Sequence, residues 1–297
     1  MVALGMLQNS EVKQWLGGVE PAWTLLDFES FDALRRPASQ ASGPIRLAAN
    51  LTPDEIQQSA VARNAIMLLL AASVGSGLKL TATGNLSRAV VAEMVDAFVW
   101  PEFDRAHEFR FHKVVNEPDF LPLFFIRHVA EATKLLRKHK GHLRTTRAGR
   151  LLLEEANLGA VQAILFHTVF WHLNLSYLGG GLHGNWPLYD AGTVLWSLSV
   201  AADEWQSREH LMRLSTVPII GVLEAKWDSG SMAMEARVLR PLWWFGLLEY
   251  SGAQGDRSTN GIGAHVSKDG ALRSLSYVRG EPRSGRGGPT LRSWAAR

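Results

Sequence analysis

The sequence contains no cysteine, which excludes disulfides, thiolate nucleophiles and cysteine-ligated zinc. It also lacks a long hydrophobic run. The stretch AIMLLLAASV at residues 65–74 is shorter than the roughly 20 apolar residues that a membrane-spanning helix needs. The first residues, MVALGMLQNSEVKQW, do not combine a basic region with a long apolar one, as a signal peptide would. We therefore expect a soluble, cytoplasmic protein with no membrane partner.

Signatures of catalysis are missing as well. No G-x-S-x-G, Walker A or H-E-x-x-H pattern is present. The histidine pairs His107/His112 and His167/His172 are each five residues apart, about 140° around a helix, which is a poor spacing for one metal ion. We expect no catalytic residue, no cofactor and no metal, and therefore no enzyme.

One glycine-rich segment matches a dinucleotide-binding motif, but the residues that follow it do not fit such a site. GGGLHG, from Gly179 to Gly184, matches G-x-G-x-x-G, and Asp203 and Glu204 follow about 20 residues on. The segment continues as NWPLYDAG, without a helix start and without β-α-β alternation. A loop between helices is favoured, with Asp190 or Thr193 capping the next helix. A nicotinamide-dependent enzyme remains an alternative that a thermal-shift assay would test.

What the sequence does have is a concentrated positive charge. The net charge is +3, but residues 127–150 hold eight Lys/Arg against the single acid Glu131, so this segment carries +7 and the remainder −4. Such a segment either attracts an anion such as nucleic acid or forms a hydrated surface. The candidate nucleic-acid-binding residues are Lys134, Arg137, Lys138, Lys140, Arg144, Arg147 and Arg150.

Three segments share one order of features: a helix, a short strand, a turn, a second strand, Ser/Thr-x-x-Gly and a helix. The Ser or Thr can cap the following helix, and the glycine lets that helix approach the ribbon closely. This order predicts an α+β, predominantly α-helical fold with two or three winged-helix-like modules. The motifs are Thr81-x-x-Gly84, Thr146-x-x-Gly149 and Ser267-x-x-Gly270. In the second module, Arg144, Arg147 and Arg150 are the best phosphate ligands, because the ribbon and the next helix start can converge on one anion.

The order of segments predicts four regions. Residues 1–50 are short helices and a linker, and residues 51–156 hold winged-helix-like modules and the basic patch, beginning with Thr52 as a helix cap and Pro53 in the first turn. Residues 157–280 are a Trp-rich helical region ending in a further module. Seven of the 11 Trp lie between positions 171 and 244, a density typical of packing. The Gly/Arg-rich residues 281–297 are expected to be disordered.

The segments LKLTATGNLSRAVVAEM, LLRKHKGHLRTTRAGRLLL and LRPLWWFGLLEY resemble bacterial proteins similar to the plasmid open-reading-frame-three family, whose members are labelled transposon-passenger or resolvase-like. The resemblance covers residues 65–155 and 236–272. It implies winged-helix character and supplies no catalytic residues.

Two functions follow as hypotheses. The first is a nucleic-acid-binding or regulatory protein that contacts DNA through residues 134–150, so that reversing Arg144, Arg147 and Arg150 to Glu abolishes binding without changing circular dichroism. The second is a non-enzymatic adaptor that binds a protein partner or self-associates through the Trp-rich region.

Overall fold

The computed structural model describes residues 8–36, 44–47, 51–101, 103, 115–202, 205–251, 265–267 and 275–277. Over these residues the chain is mostly helical and carries a small three-stranded antiparallel sheet, which confirms the predicted α+β, predominantly helical class. No helix in the described ranges is long and apolar enough to span a membrane. The described α-helices are α1 (Ser10–Leu16), α2 (Phe28–Arg35), α3 (Pro53–Gln58), α4 (Ala60–Ser73), α5 (Arg88–Ala97), α6 (Leu121–Ala132), α7 (Arg147–Leu152), α8 (Leu158–Trp171), α9 (Ala191–Ala201), α10 (Arg208–Ser215), α11 (Ile220–Leu223), α12 (Ser229–Met234) and α13 (Arg240–Trp244).

Seven strands are described, in three groups. The strands are β1 (Ile45–Leu47), β2 (Leu78–Lys79), β3 (Leu136–His139), β4 (His142–Thr145), β5 (Glu249–Ser251), β6 (His265–Ser267) and β7 (Leu275–Tyr277). The three-stranded sheet has the order β2-β4-β3, and the pairs β1/β7 and β5/β6 are antiparallel. A π-helical turn at Glu235–Leu239 connects α12 to α13.

The predicted helix start at Thr52 is confirmed. Thr52 and Glu55 form a reciprocal capping box around Pro53. The helix ends at Gln58, however, and a second one begins at once, because the buried Ser59 has an extended backbone and its hydroxyl accepts a hydrogen bond from the Ala62 amide at 3.1 Å. The apolar positions that follow therefore belong to a separate helix, α4.

The ribbon expected ahead of Thr146 is present. Strands β3 and β4 form a hairpin with Leu136 opposite Thr145, closed by a two-residue turn at Lys140 and Gly141. Both turn residues have positive φ, 46° and 74°, as in a type I′ turn, whose twist matches that of the strands. Thr146 caps α7 by accepting from the Gly149 amide at 3.1 Å.

The first predicted module is wrong. No hairpin precedes Thr81: the chain there contributes the single strand β2, which pairs with β4 of the second predicted module. The Thr81 hydroxyl accepts from the Asn85 amide at 3.2 Å and closes a turn, and α5 begins only at Arg88. A two-residue strand cannot form a sheet alone, so the first two predicted modules are one structural unit.

The third predicted ribbon is partly described. Strands β5 and β6 pair with Glu249 opposite Ser267, as expected ahead of the Ser267 motif. Residues 268–274, including Gly270, lie outside the described residues, as does the 281–297 tail. The next described strand, β7, pairs with β1, which places residues 275–277 beside residues 45–47.

One hydrophobic core connects the described elements. Buried apolar side chains from Ala22 to Leu248 form a single cluster. Helix α8 lies in it with most of its residues buried. Among the tryptophans of the Trp-rich region, Trp186, Trp196 and Trp244 are buried in this core, whereas Trp205 and Trp227 are exposed.

Candidate nucleic-acid interface

The three-stranded sheet has an inner face that fixes its position. Leu78, Leu136 and Leu143, one on each strand, are buried. The Thr145 hydroxyl donates to the Leu69 carbonyl of α4 at 2.5 Å. Because side chains alternate along a strand, the neighbouring residues must face away from the core. The buried leucines therefore determine which basic side chains share the outer face.

The outer face of the sheet collects positive charge. Arg137 of β3 stands directly opposite Arg144 of β4, and Lys79 of β2 is opposite His142. His139 is the cross-strand partner of His142 on the same face. Like charges directly across a strand pair repel each other, so this arrangement is unfavourable unless an anion lies over it. We define these five residues as the cationic sheet face.

The structure does not bring all seven predicted residues onto this face. Lys138 alternates to the opposite side, where its ammonium lies near the turn at Gly84. Lys140 occupies the tip of the hairpin. Lys134 lies at the other end of the hairpin. Its carbonyl oxygen accepts a hydrogen bond at 2.9 Å from the hydroxyl of Thr146, the residue before Arg147.

The two arginines of α7 differ in their contacts. Arg147 and Arg150 are both exposed. One guanidinium nitrogen of Arg150 donates a hydrogen bond to the Thr145 carbonyl oxygen at 2.9 Å. Helix α7 is only six residues long, and the Thr146 hydroxyl already binds the Gly149 amide. At this end of the ribbon, an anion would therefore be attracted more by the charges of the two arginines than by the N-terminus of α7.

In the part of the chain that the structure describes, none of the seven predicted cations forms an ion pair. Arg127 is different, although the same charge run includes it. Its side chain is 2% exposed and pairs with the buried Glu117 and, at 3.4 Å, with Glu131. Within residues 127–150, the positive charge available to solvent therefore lies on the hairpin and the residues next to it, because Arg127 is neutralised inside.

Sequence reasoning missed three residues of the cationic sheet face, namely Lys79, His139 and His142. Lys79 lies between Leu78 and Leu80 in an alternating segment, which is the signal that could have assigned it to the outer face of a strand. Nothing local to the sequence indicated that this strand would lie next to β4, about 60 residues later.

The GGGLHG segment encloses one of the protein's own side chains. Arg237, fully buried in the π-helical turn, donates to the carbonyls of Trp186 at 2.7 Å and Leu182 at 2.6 Å. Gly179 permits this approach, since a Cβ there would lie 3.0 Å from the guanidinium. Burial lowers the pKa of Arg237. Turns and one short 3-10 segment, Leu188–Asp190, follow the glycines instead of a helix start.

The expected caps of α9 are not formed. Asp190 occupies the position before the helix but makes no capping hydrogen bond, and its carboxylate pairs with Arg35 at 2.5 Å. Thr193 is buried within α9. The cap is absent because the side chain of Asp190 is used to attach α2 to this end of α9.

Histidines contribute no metal centre in the described ranges, where no group of three or more His, Asp or Glu side chains is suited to an ion. His167 stacks on Trp171 with the ring centroids 5.0 Å apart, and His172 lies at the same distance. His107, His112, Asp203 and Glu204 lie outside the described residues.

The fold and this surface define a mostly helical protein with a cationic, three-stranded sheet. Residues 57–158, which include that sheet, match the family model of the Y4jL N-terminal domain. The uncharacterized protein y4jL of Sinorhizobium fredii (strain NBRC 101917 / NGR234) is 33% identical over 88 residues, 30% of this chain and 40% of that protein. The chain thus aligns with less than half of the relative's length. No solved structure matches.

These matches correct the resemblance inferred from the sequence. The expected relation to the plasmid open-reading-frame-three, transposon-passenger or resolvase-labelled family is wrong, because the similarity falls on the Y4jL N-terminal domain. The motifs that suggested the former relation, a ribbon followed by a capped helix, are dictated by local geometry and so recur in unrelated chains.

Proposed function

We propose that this protein binds nucleic acid by contacting phosphates through the cationic sheet face. The observation that carries the proposal is the Arg137–Arg144 pair, two arginines at directly opposite positions of the β3–β4 hairpin without an acidic partner among the described residues. An arginine guanidinium offers several donors in a planar fork that suits phosphate oxygens. A phosphate over the pair would convert its repulsion into two charge-assisted contacts.

We further infer that residues 60–152 form one winged-helix-like module rather than two. Support comes from the order of elements, α4, β2, α5, α6, β3 and β4, together with the sheet order β2-β4-β3. In this arrangement the β3–β4 hairpin is the wing, and the cationic sheet face extends from it. DNA-binding proteins commonly use such a β-ribbon to contact the backbone or a groove.

Titration of a labelled duplex against the full chain, followed by fluorescence anisotropy over a range of salt concentrations, tests the proposal. The logarithm of the binding constant should fall linearly with the logarithm of salt concentration. The double variant Arg137→Glu/Arg144→Glu should bind more weakly by at least about tenfold and give a salt slope shallower by about 2, because two phosphate contacts are lost.

A matched control carries the same change in net charge elsewhere. Lys13 and Lys226 are exposed and distant in sequence from the sheet. The variant Lys13→Glu/Lys226→Glu should bind almost as the wild type does. The proposal fails if both double variants lose affinity equally, since binding would then reflect net charge alone, or if the wild type binds no duplex at low salt. The Arg144→Glu/Arg147→Glu/Arg150→Glu variant extends the test to the end of the ribbon.

Self-association or adaptor binding is a second candidate, favoured by exposed apolar side chains in the Trp-rich region. Ile220, Trp227 and Met232 lie within 13 residues, with exposures of 72%, 55% and 46%. Exposed aromatic residues of this kind are enriched at protein interfaces. Light scattering should then give a mass above that of one chain, and Ile220→Arg/Trp227→Arg should restore the monomer. A monomeric wild type would remove the self-association form of this candidate.

A further inference from the structure

We propose that the bound nucleic acid is contacted through its sugar–phosphate backbone alone, so that binding does not depend on base sequence. This inference rests on the function proposed above and specifies its ligand: any duplex of sufficient length. It depends on helix α6, because the helix that precedes the ribbon is the one that reads base edges in a helix-turn-helix protein.

Helix α6 packs into the core and keeps its one arginine there. Phe125, Ile126 and Val129 are completely buried. Arg127 is held by Glu117 and donates to the Gly84 carbonyl at 2.7 Å. To reach a guanine, this arginine would have to leave a buried ion pair, which is strongly unfavourable.

The outward positions of α6 offer little to a base pair. They include Leu121, Phe124 and His128, and the His128 ring lies on the Phe124 ring at 4.0 Å while its Nδ1 lies 2.7 Å from the Phe124 carbonyl. Glu131 adds a negative charge that DNA repels. The helix contains no Lys, Asn or Gln, which together with Arg make most of the specific contacts with purines.

The described segment directly before α6 also holds this helix in place. Glu117–Asp119 forms a short 3-10 turn that ends at Phe120, next to the first residue of α6. Its Glu117 is buried and pairs with Arg127 of α6. This segment thus helps to hold α6 against the core.

The cationic sheet face, in contrast, is suited to phosphates. Adjacent strands are about 4.8 Å apart, so the three strands present a surface about 10 Å wide. The hairpin turn has two residues, so Lys140 is at the tip with no longer loop to enter a groove. Lys and Arg on such a surface neutralise phosphates, which carry no base identity.

The test compares three unrelated duplexes of equal length and their scrambled versions in competition with the full chain. Affinities should agree within about twofold, whereas a specific site is expected to differ from non-specific DNA by a thousandfold or more. The double variant Arg137→Glu/Arg144→Glu should bind every duplex more weakly, and by the same factor for each. His128→Ala and Leu121→Ala, on the outward side of α6, should change no affinity.

The outcomes separate this inference from the function on which it rests. A preference above about tenfold for one sequence that disappears in His128→Ala would mean that α6 reads bases, and would overturn the inference while the binding function stands. A preference that survives His128→Ala would overturn it equally. Absence of binding to every duplex at low salt would overturn the binding function itself.

Discussion

Arg137 and Arg144 occupy directly opposite strand positions, an arrangement of like charges that is unfavourable for the fold and that the proposed function would use to bind phosphate. Their cross-strand repulsion predicts that Arg137→Glu stabilises the protein by about 0.2–1 kcal/mol, because an opposite charge would then face Arg144. Thermal unfolding at low salt should show a higher Tm, and high salt should remove the gain. The same variant should bind duplex DNA less tightly.

Lys138→Glu is the matched control for this prediction, since it lies next in the same strand and faces the opposite side, across from Leu143. It should bring no comparable rise in Tm. A rise in Lys138→Glu and none in Arg137→Glu would show that the two arginines do not interact across the ribbon.

Gly149 is a residue at which the sequence motif and the structure agree. A Cβ at this position would lie 2.6 Å from the Leu135 carbonyl oxygen and 2.7 Å from a Thr145 methyl group. Gly149→Ala should therefore destabilise the protein by about 1–3 kcal/mol, measured by urea unfolding. The adjacent, exposed Ala148→Ser should stay within about 0.5 kcal/mol of the wild type. An unchanged midpoint in Gly149→Ala would contradict the close packing of α7 on the ribbon.

At the scale of elements, the Arg127–Glu117 pair joins α6 to the connection before it. Glu117 also accepts a hydrogen bond from the Leu86 amide at 2.5 Å, so the turn after β2 is attached to the same carboxylate. Glu117→Gln should cost about 3–5 kcal/mol in the free energy of unfolding, because it removes the buried counter-charge of Arg127 and leaves only the longer, partly exposed contact with Glu131.

Two further variants make this prediction specific. Glu131→Gln removes the longer, partly exposed partner of Arg127 and should cost less than about 1 kcal/mol. Glu117→Leu/Arg127→Met should recover much of the loss, because it removes both buried charges. Equal losses in Glu117→Gln and Glu131→Gln would mean that the two carboxylates share Arg127 evenly.

The loop of residues 176–190 contains a pH-sensitive contact. Burial, and then the charge of Arg237, lower the pKa of His183, whose Nε2 lies 2.7 Å from the Ser229 hydroxyl. As pH falls below the unfolded-state pKa of about 6.5, the unfolded chain takes up a proton that the folded chain resists. Stability is therefore full at higher pH, declines as pH falls, and levels off below the folded pKa.

His183→Asn should reduce this loss of stability, because asparagine does not titrate and tolerates the positive φ of 58° at this position. Unfolding in urea at about pH 7.5 and pH 5 would measure the difference. The same pH dependence in the variant and the wild type would assign the effect to other groups.

At the scale of the whole molecule, the segment that contains the three-stranded sheet packs against helices that come later in the chain. Trp100 and Phe125, both within the Y4jL-like segment, contact the Trp244 ring with centroids 5.1 Å away in each case. Trp244→Ala should destabilise the protein by about 3–5 kcal/mol. Hydrogen exchange should speed up in the β3–β4 hairpin as well as in α8, since both belong to one core. Faster exchange confined to the later helices would show that the two parts unfold separately.

Local signals in the sequence determined local structure. Thr52 before Pro53, the alternating residues 136–145, and Thr146 followed by Gly149 each specify a cap, a ribbon or a close approach through interactions between neighbouring residues. The helical class of the fold follows for the same reason, because helix caps and apolar periodicity are short-range properties.

Tertiary structure alone decided how these pieces combine. The sequence shows a charge run from Arg127 to Arg150, but only the fold buries Arg127 against Glu117, turns Lys138 away from Arg137, and adds Lys79 from a strand far earlier in the chain. Pairing between distant strands depends on which buried faces meet, and no local pattern encodes that choice. That long-range packing produces one three-stranded sheet in place of the first two predicted modules. It also determines which face of the sheet carries the charged side chains.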